Sequence, residues 1–152
     1  MHILQVSPRV PYPLHDGGAI GIYNITAGLL RAGHRVTMLA INTPKHHQPA
    51  DVLAHLGPNF RLVTVDVDTT ARPLKALRSL LFSRRIPYIA ERFISPRVAA
   101  EFKRLLLTER FDVVQLEGTF VAWYAGCLPA QGRAGTLPTG PHLPPGCCAR
   151  TT

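Results

Sequence analysis

In residues 2–32 a short apolar run, a proline-rich loop and an amphipathic segment follow one another, and few folds accommodate that succession. Ile3, Leu4 and Val6 form an apolar run bounded by Ser7 and Pro8, which predicts a buried strand. Residues 7–18 carry Pro8, Pro11 and Pro13 and end in Gly17-Gly18. Proline fixes φ and removes a backbone donor, so this stretch reads as an open loop. Ile22, Ile25, Leu29 and Leu30 repeat at helical spacing from about Ala19 onward, and Gly33 provides a stop. Residues 35–41 are again apolar at Val36, Met38, Leu39 and Ile41, a second strand. Strand, helix and strand in this order predict a parallel pair joined by a right-handed crossover.

The pattern then repeats less regularly. Residues 42–50, with Pro44 and Pro49, read as a loop holding His46-His47, and a short helix is expected over 49–56, closed by Gly57-Pro58. No Cys, Asp or Glu stands at ligand spacing beside the two histidines, so no metal site is expected there. Residues 60–67 alternate apolar and polar, which predicts an edge strand with one polar face. Asp66 and Asp68 share a strand face, but beside Thr69-Thr70 they read as a polar strand exit. Pro73 opens a helix over 73–82, and Ser95-Pro96 opens another to about Thr108, with Ser95 as its cap and Val98, Phe102, Leu105 and Leu106 facing the core. Residues 111–116 form a fourth strand that exits at Glu117-Gly118, and a further helix is expected over 119–125.

Composition excludes several classes. The chain has 152 residues, is 46% hydrophobic and 17% charged, and has no apolar run near the ~20 residues of a membrane span. No signal-peptide pattern opens it, so a cytoplasmic location is expected. The net charge of +8 is concentrated: residues 72–110 hold ten Lys/Arg against Glu91, Glu101 and Glu109, a local +7. This block reads either as the solvated faces of two helices or as a surface for an anionic partner. No aromatic interleaving or reader motif accompanies it, so nucleic acid is not expected. From Gly126 the chain has five Gly, five Pro, no acid and all three cysteines (Cys127, Cys147, Cys148). Residues 126–152 are therefore expected to be a disordered tail, and its abrupt start suggests a shifted reading frame.

The loop before the first helix does not carry a dinucleotide fingerprint. Its glycines read Gly17-Gly18-x-x-Gly21 after about eleven residues, and no acid falls in 38–43 to hold a ribose. A Gly-Lys-Ser/Thr ending is also missing. Instead, residues 1–13 (MHILQVSPRVPYP), Asp16-Gly17-Gly18, Tyr23-Asn24, the 31–37 step (RAGHRVT) and residues 111–118 (FDVVQLEG) resemble the start of bacterial GT-B glycosyltransferases of the family 4 type. The resemblance covers about residues 1–125.

It implies an α/β, Rossmann-like parallel sheet of order 3-2-1-4 with helices on both faces, the acceptor-side half of a two-domain transferase. The implied chemistry is sugar transfer from a nucleotide-sugar to a glycan or lipid-linked acceptor, as in making cell-envelope polysaccharide. The nucleotide-sugar is a co-substrate, and no cofactor or metal is implied. Candidate cleft residues are Tyr12, His15, Asp16, Gly17, Gly18, Glu117 and Gly118, with the glycines' N–H groups open to a diphosphate. No catalytic residue carries over, because the family's next strand and its donor domain have no counterpart in these residues; the 152 residues alone are expected to be inactive. Lys75, Arg78, Arg84 and Arg85 are candidates for contact with the inner face of a membrane. The alternative is a non-catalytic binding module that holds a phosphorylated ligand or a protein partner through the same loop.

Overall fold

The computed structural model describes residues 1–69 and 93–128. The strands are β1 (His2–Ser7), β2 (Arg35–Asn42), β3 (Phe60–Asp66) and β4 (Val113–Leu116), with helices α1 (Gly17–Arg31) and α2 (Pro96–Thr108). All strand pairs are parallel and the sheet order is β3-β2-β1-β4, a Rossmann-like arrangement. β1 lies at the centre, paired on both sides, and all six of its residues are buried. That is why it reads as a run of apolar residues rather than an alternation.

Side chains alternate across the sheet, and each face has its own core. Leu4, Val6, Leu39 and Ile41 pack with Val98, Phe102 and Leu105 of α2 and with Val121 and Tyr124. On the other face Met38 and Ala40 join Val10 and Leu53, with Ile22 and Tyr23 of α1 against them. Helices therefore cover both faces, as the strand–helix alternation predicts.

Several local expectations are corrected. α1 starts at Gly17, two residues before the expected Ala19, so the glycine pair is its first turn. Its buried positions are Ala19 and Thr26, whereas Ile25, expected in the core stripe, is exposed. A 3-10 turn at Ala54–Leu56 stands where a short helix was expected, and Gly57 ends it at φ 95°. Ser95 occupies the cap position of α2 but makes no side-chain cap bond; its N–H donates to the Tyr124 hydroxyl at 3.0 Å. Residues Ala122–Cys127 form a 3-10 helix rather than an α-helix. That helix passes through Gly126, and Cys127 and Leu128 pack on the α2-side core, so ordered chain continues beyond residue 125. The expected helix over 73–82, the basic candidates Lys75, Arg78, Arg84 and Arg85, and residues 129–152 of the tail lie outside the described residues. Among the described residues no helix is long and apolar enough to cross a membrane.

At the amino-terminal end of the sheet the His2 ring lies in a polar knot. Its Nε2 is 2.9 Å from Thr37 Oγ1, and its Nδ1 accepts from the Arg35 guanidinium at 2.8 Å. The His2 N–H donates to Asp112 Oδ2 at 2.7 Å, which ties β1 to the approach of β4. This buried imidazole is satisfied by structural partners and lies at the end of the sheet opposite the candidate site.

Candidate functional site

In a sheet ordered 3-2-1-4 the order in which strands are laid down reverses between β1 and β4. Connections from these two strands leave toward opposite faces, which opens a crevice beyond their carboxyl ends. Here the chain after β1 runs to α1 on one face, and the chain after β4 runs to Tyr124 and the α2 core on the other. Both candidate segments, 8–18 and 117–118, stand on this rim.

The loop after β1 is shaped by its own backbone. Ser7 Oγ donates to the Arg9 carbonyl at 2.5 Å. Tyr12 N–H donates to Val10 O, and His15 N–H to Pro13 O, each at 2.9 Å, two three-residue turns in succession. Tyr12-Pro13 is a cis peptide. Val10 is buried among Met38, Ala40 and Leu53 and anchors the underside of the loop, leaving Tyr12, Leu14, His15 and Asp16 exposed.

Asp16 is the residue around which this lip closes. In extended geometry it caps α1, and its Oδ1 accepts from the N–H groups of Gly18 (3.0 Å) and Ala19 (3.1 Å). The same oxygen accepts from the Arg9 guanidinium. The expectation that Gly18 offers its N–H to a diphosphate is thus corrected, because Asp16 already takes that donor. The two glycines also differ in their surroundings. A Cβ on Gly18 would meet Arg9 and Asp16 at 3.2 Å, so its small size lets that ion pair close over the helix end. A Cβ on Gly17 would meet nothing within 4 Å. Neither has the positive φ that would require glycine for the backbone alone.

The Arg9 hydrogen bond, followed by the Ala19 N–H, lowers the Asp16 carboxyl from its ordinary 3.8 to about 2. A depressed carboxylate stabilises the fold above its unfolded value and loses that contribution as pH falls through the folded one. The stability gap between the native chain and Asp16→Ala is therefore expected to be full above about pH 4 and to close toward pH 2. Urea melts of both proteins across that window check this, and a gap independent of pH would contradict the cap.

His46, in the 3-10 turn Pro44–His46 after β2, is half-buried. Burial first, then the charges of Arg9 and Lys45, lower its pKa below the ordinary histidine value, with Asp16 opposing. This keeps a neutral imidazole beside the loop at neutral pH. His47 is exposed, with Nε2 3.7 Å from Asp66 Oδ1. Among the described residues no group of three or more His, Cys, Asp or Glu could hold a metal ion.

Across the crevice Gly118 has φ 81°, and a Cβ there would meet open space. Glu117 is half-buried; its N–H donates to Val6 O at 2.8 Å, extending the ladder one residue past β4. Its Oε1 accepts from Gln5 Nε2 at 2.7 Å and from Gln115 Nε2 at 2.6 Å. Gln5, with no solvent exposure, has its own Oε1 2.7 Å from Thr26 Oγ1 of α1. The Thr26 hydroxyl also lies 2.8 Å from the Ile22 carbonyl, so its single proton serves both acceptors. A polar chain thus runs from α1 along that face of the sheet to the rim.

The structure ties Asp16, Gly17 and Gly18 to one lip and Glu117-Gly118 to the other. Tyr12 and His15 stand exposed on the loop without a side-chain bond to either lip among the described residues. Sequence reasoning missed Gln5, Gln115 and Arg9 and weighed His46 only as a metal ligand. Gln5 had a signal, an amide inside an otherwise apolar strand, which must find buried partners. Comparison with protein-family models, curated proteins and solved structures gave no match.

Proposed function

We propose that this sheet is the acceptor-side half of a nucleotide-sugar-dependent glycosyltransferase of the GT-B, family 4 type. The sequence resemblance at residues 1–37 and 111–118 falls on the segments that make the crevice at the strand-order reversal. One observation carries the reading: Gly17 opens α1 where its backbone does not need glycine and where a side chain would touch nothing in the described protein. A bare backbone at a helix amino terminus suits the close approach of a diphosphate. The net +7 of residues 72–110 fits an acceptor carried on an anionic lipid surface.

The test is a titration of the full chain with uridine diphosphate, followed through backbone amide resonances. The amides of Gly17 and Gly118 are expected to shift together. Gly17→Ala is expected to weaken that response without lowering the melting temperature, since a Cβ there meets no atom of another element within 4 Å and alanine is the better helix former. Rim amides that stay still at saturating nucleotide would overturn the reading.

A further inference from the structure

We propose that Glu117 is a sugar-binding carboxylate that accepts hydrogen bonds from hydroxyl groups in the crevice, with Gln5 and Gln115 as its positioning residues. This rests on the sugar-transferase reading and adds the group that would recognise the acceptor.

Gln5 and Gln115 are register partners on adjacent strands, so their side chains lie abreast on one sheet face. Both send an amide N–H to the same atom, Glu117 Oε1, at 2.7 and 2.6 Å. A buried amide costs free energy unless its hydrogen-bonding groups are met, and Gln5 meets its need by facing Thr26 on one side and Glu117 on the other. The effect on Glu117 is geometric. Two short charge-assisted bonds fix one carboxylate oxygen and with it the carboxylate plane. No hydrogen bond or ion pair to Oε2 occurs among the described residues. A carboxylate is an acceptor only, with several lone-pair sites, so a held Glu117 selects ligands that donate. Neighbouring sugar hydroxyls are donors of that kind, whereas a phosphate would be repelled. The next residue, Gly118, leaves open space where a side chain would otherwise narrow the entrance. The two lips therefore differ in chemistry: beside Gly17 the Arg9 guanidinium offsets the Asp16 carboxylate, so that end can still take an anion, whereas Glu117 has only neutral amide partners among the described residues and suits a neutral polyhydroxyl group.

The test uses the full chain and a panel of neutral methyl glycosides (glucoside, galactoside, mannoside and N-acetylglucosaminide), read through the side-chain amide resonances of Gln5 and Gln115. At least one glycoside is expected to move both signals, and inorganic pyrophosphate to move neither. Glu117→Gln keeps an oxygen acceptor for the two glutamines and hence the fold, and is expected to lower glycoside affinity about tenfold. Gln5→Met should weaken it several-fold by freeing the carboxylate, with the diphosphate response at Gly17 retained. If no glycoside moves the glutamine signals, or Glu117→Gln binds as well as the native chain, the proposal fails. A chain that answers uridine diphosphate but no glycoside loses this inference and keeps the transferase reading; the reverse result removes that reading and keeps the carboxylate site.

Discussion

Phe102→Ala is expected to destabilise the fold by about 3–5 kcal/mol, the usual cost of emptying a buried aromatic position. Phe102 has no solvent exposure and lies in the α2-side core with Leu4, Val6 and Leu39, its ring 6.3 Å from that of Tyr124. No other side chain of α2 fills as much of the space between helix and sheet. A domain of this size is stable by roughly 5–15 kcal/mol, so the loss takes a large fraction of the total. Denaturant melts would show a midpoint far below native. Phe102→Leu, which keeps much of the volume, is expected to recover most of the difference. Equal midpoints for Phe102→Ala and the native chain would mean that α2 does not dock through this face.

Tyr124→Phe should cost about 1–3 kcal/mol although it removes a single oxygen. The Tyr124 hydroxyl accepts from the Ser95 N–H at 3.0 Å and donates to the Phe93 carbonyl at 2.7 Å. Ser95 is the cap residue of α2, and its own hydroxyl makes no cap bond. The phenol thus secures the start of α2 from a 3-10 helix 29 residues away. Without it a buried N–H is orphaned, and such a group loses its full solvation. Each kcal/mol lowers the melting point of a small domain by roughly 4–8 °C, so calorimetry resolves the effect. A melt identical to native would show that water takes over the Ser95 donor.

Much of the architecture is legible in the residues. The apolar runs at 3–6 and 36–41 and the stop at Gly33 place β1, α1 and β2, and Val98, Phe102 and Leu105 mark the buried face of α2. What escapes a pattern reading is governed by polar partners distant in sequence. Apolar spacing puts Ile25 in the core and Thr26 outside, yet the fold reverses them, because Thr26 must reach Gln5 across the helix–sheet interface. Glycine content makes 17–18 look like loop, whereas the Asp16 carboxylate, accepting from Gly18 and Ala19, starts the helix at Gly17. Ser95 has the identity of a cap, and a tyrosine from another element does part of that work. In the candidate site, the two lips follow from where strands end. The Gln5–Glu117 link does not, because it depends on β1 lying beside β4, a pairing set by chain topology rather than by neighbouring residues.

The central position of β1 also orders events on the ribosome. Within its sheet β1 is translated before its partners: it gains β2 as a neighbour early, but its other edge awaits a segment about 110 positions later, as the contact between His2 and Asp112 measures. At ribosomal speeds of roughly 5–20 residues per second, that edge stays without its partner for several seconds. The open edge of β1 thus persists until about three quarters of these residues have been made, and through that interval its unpaired backbone groups can pair with any other strand.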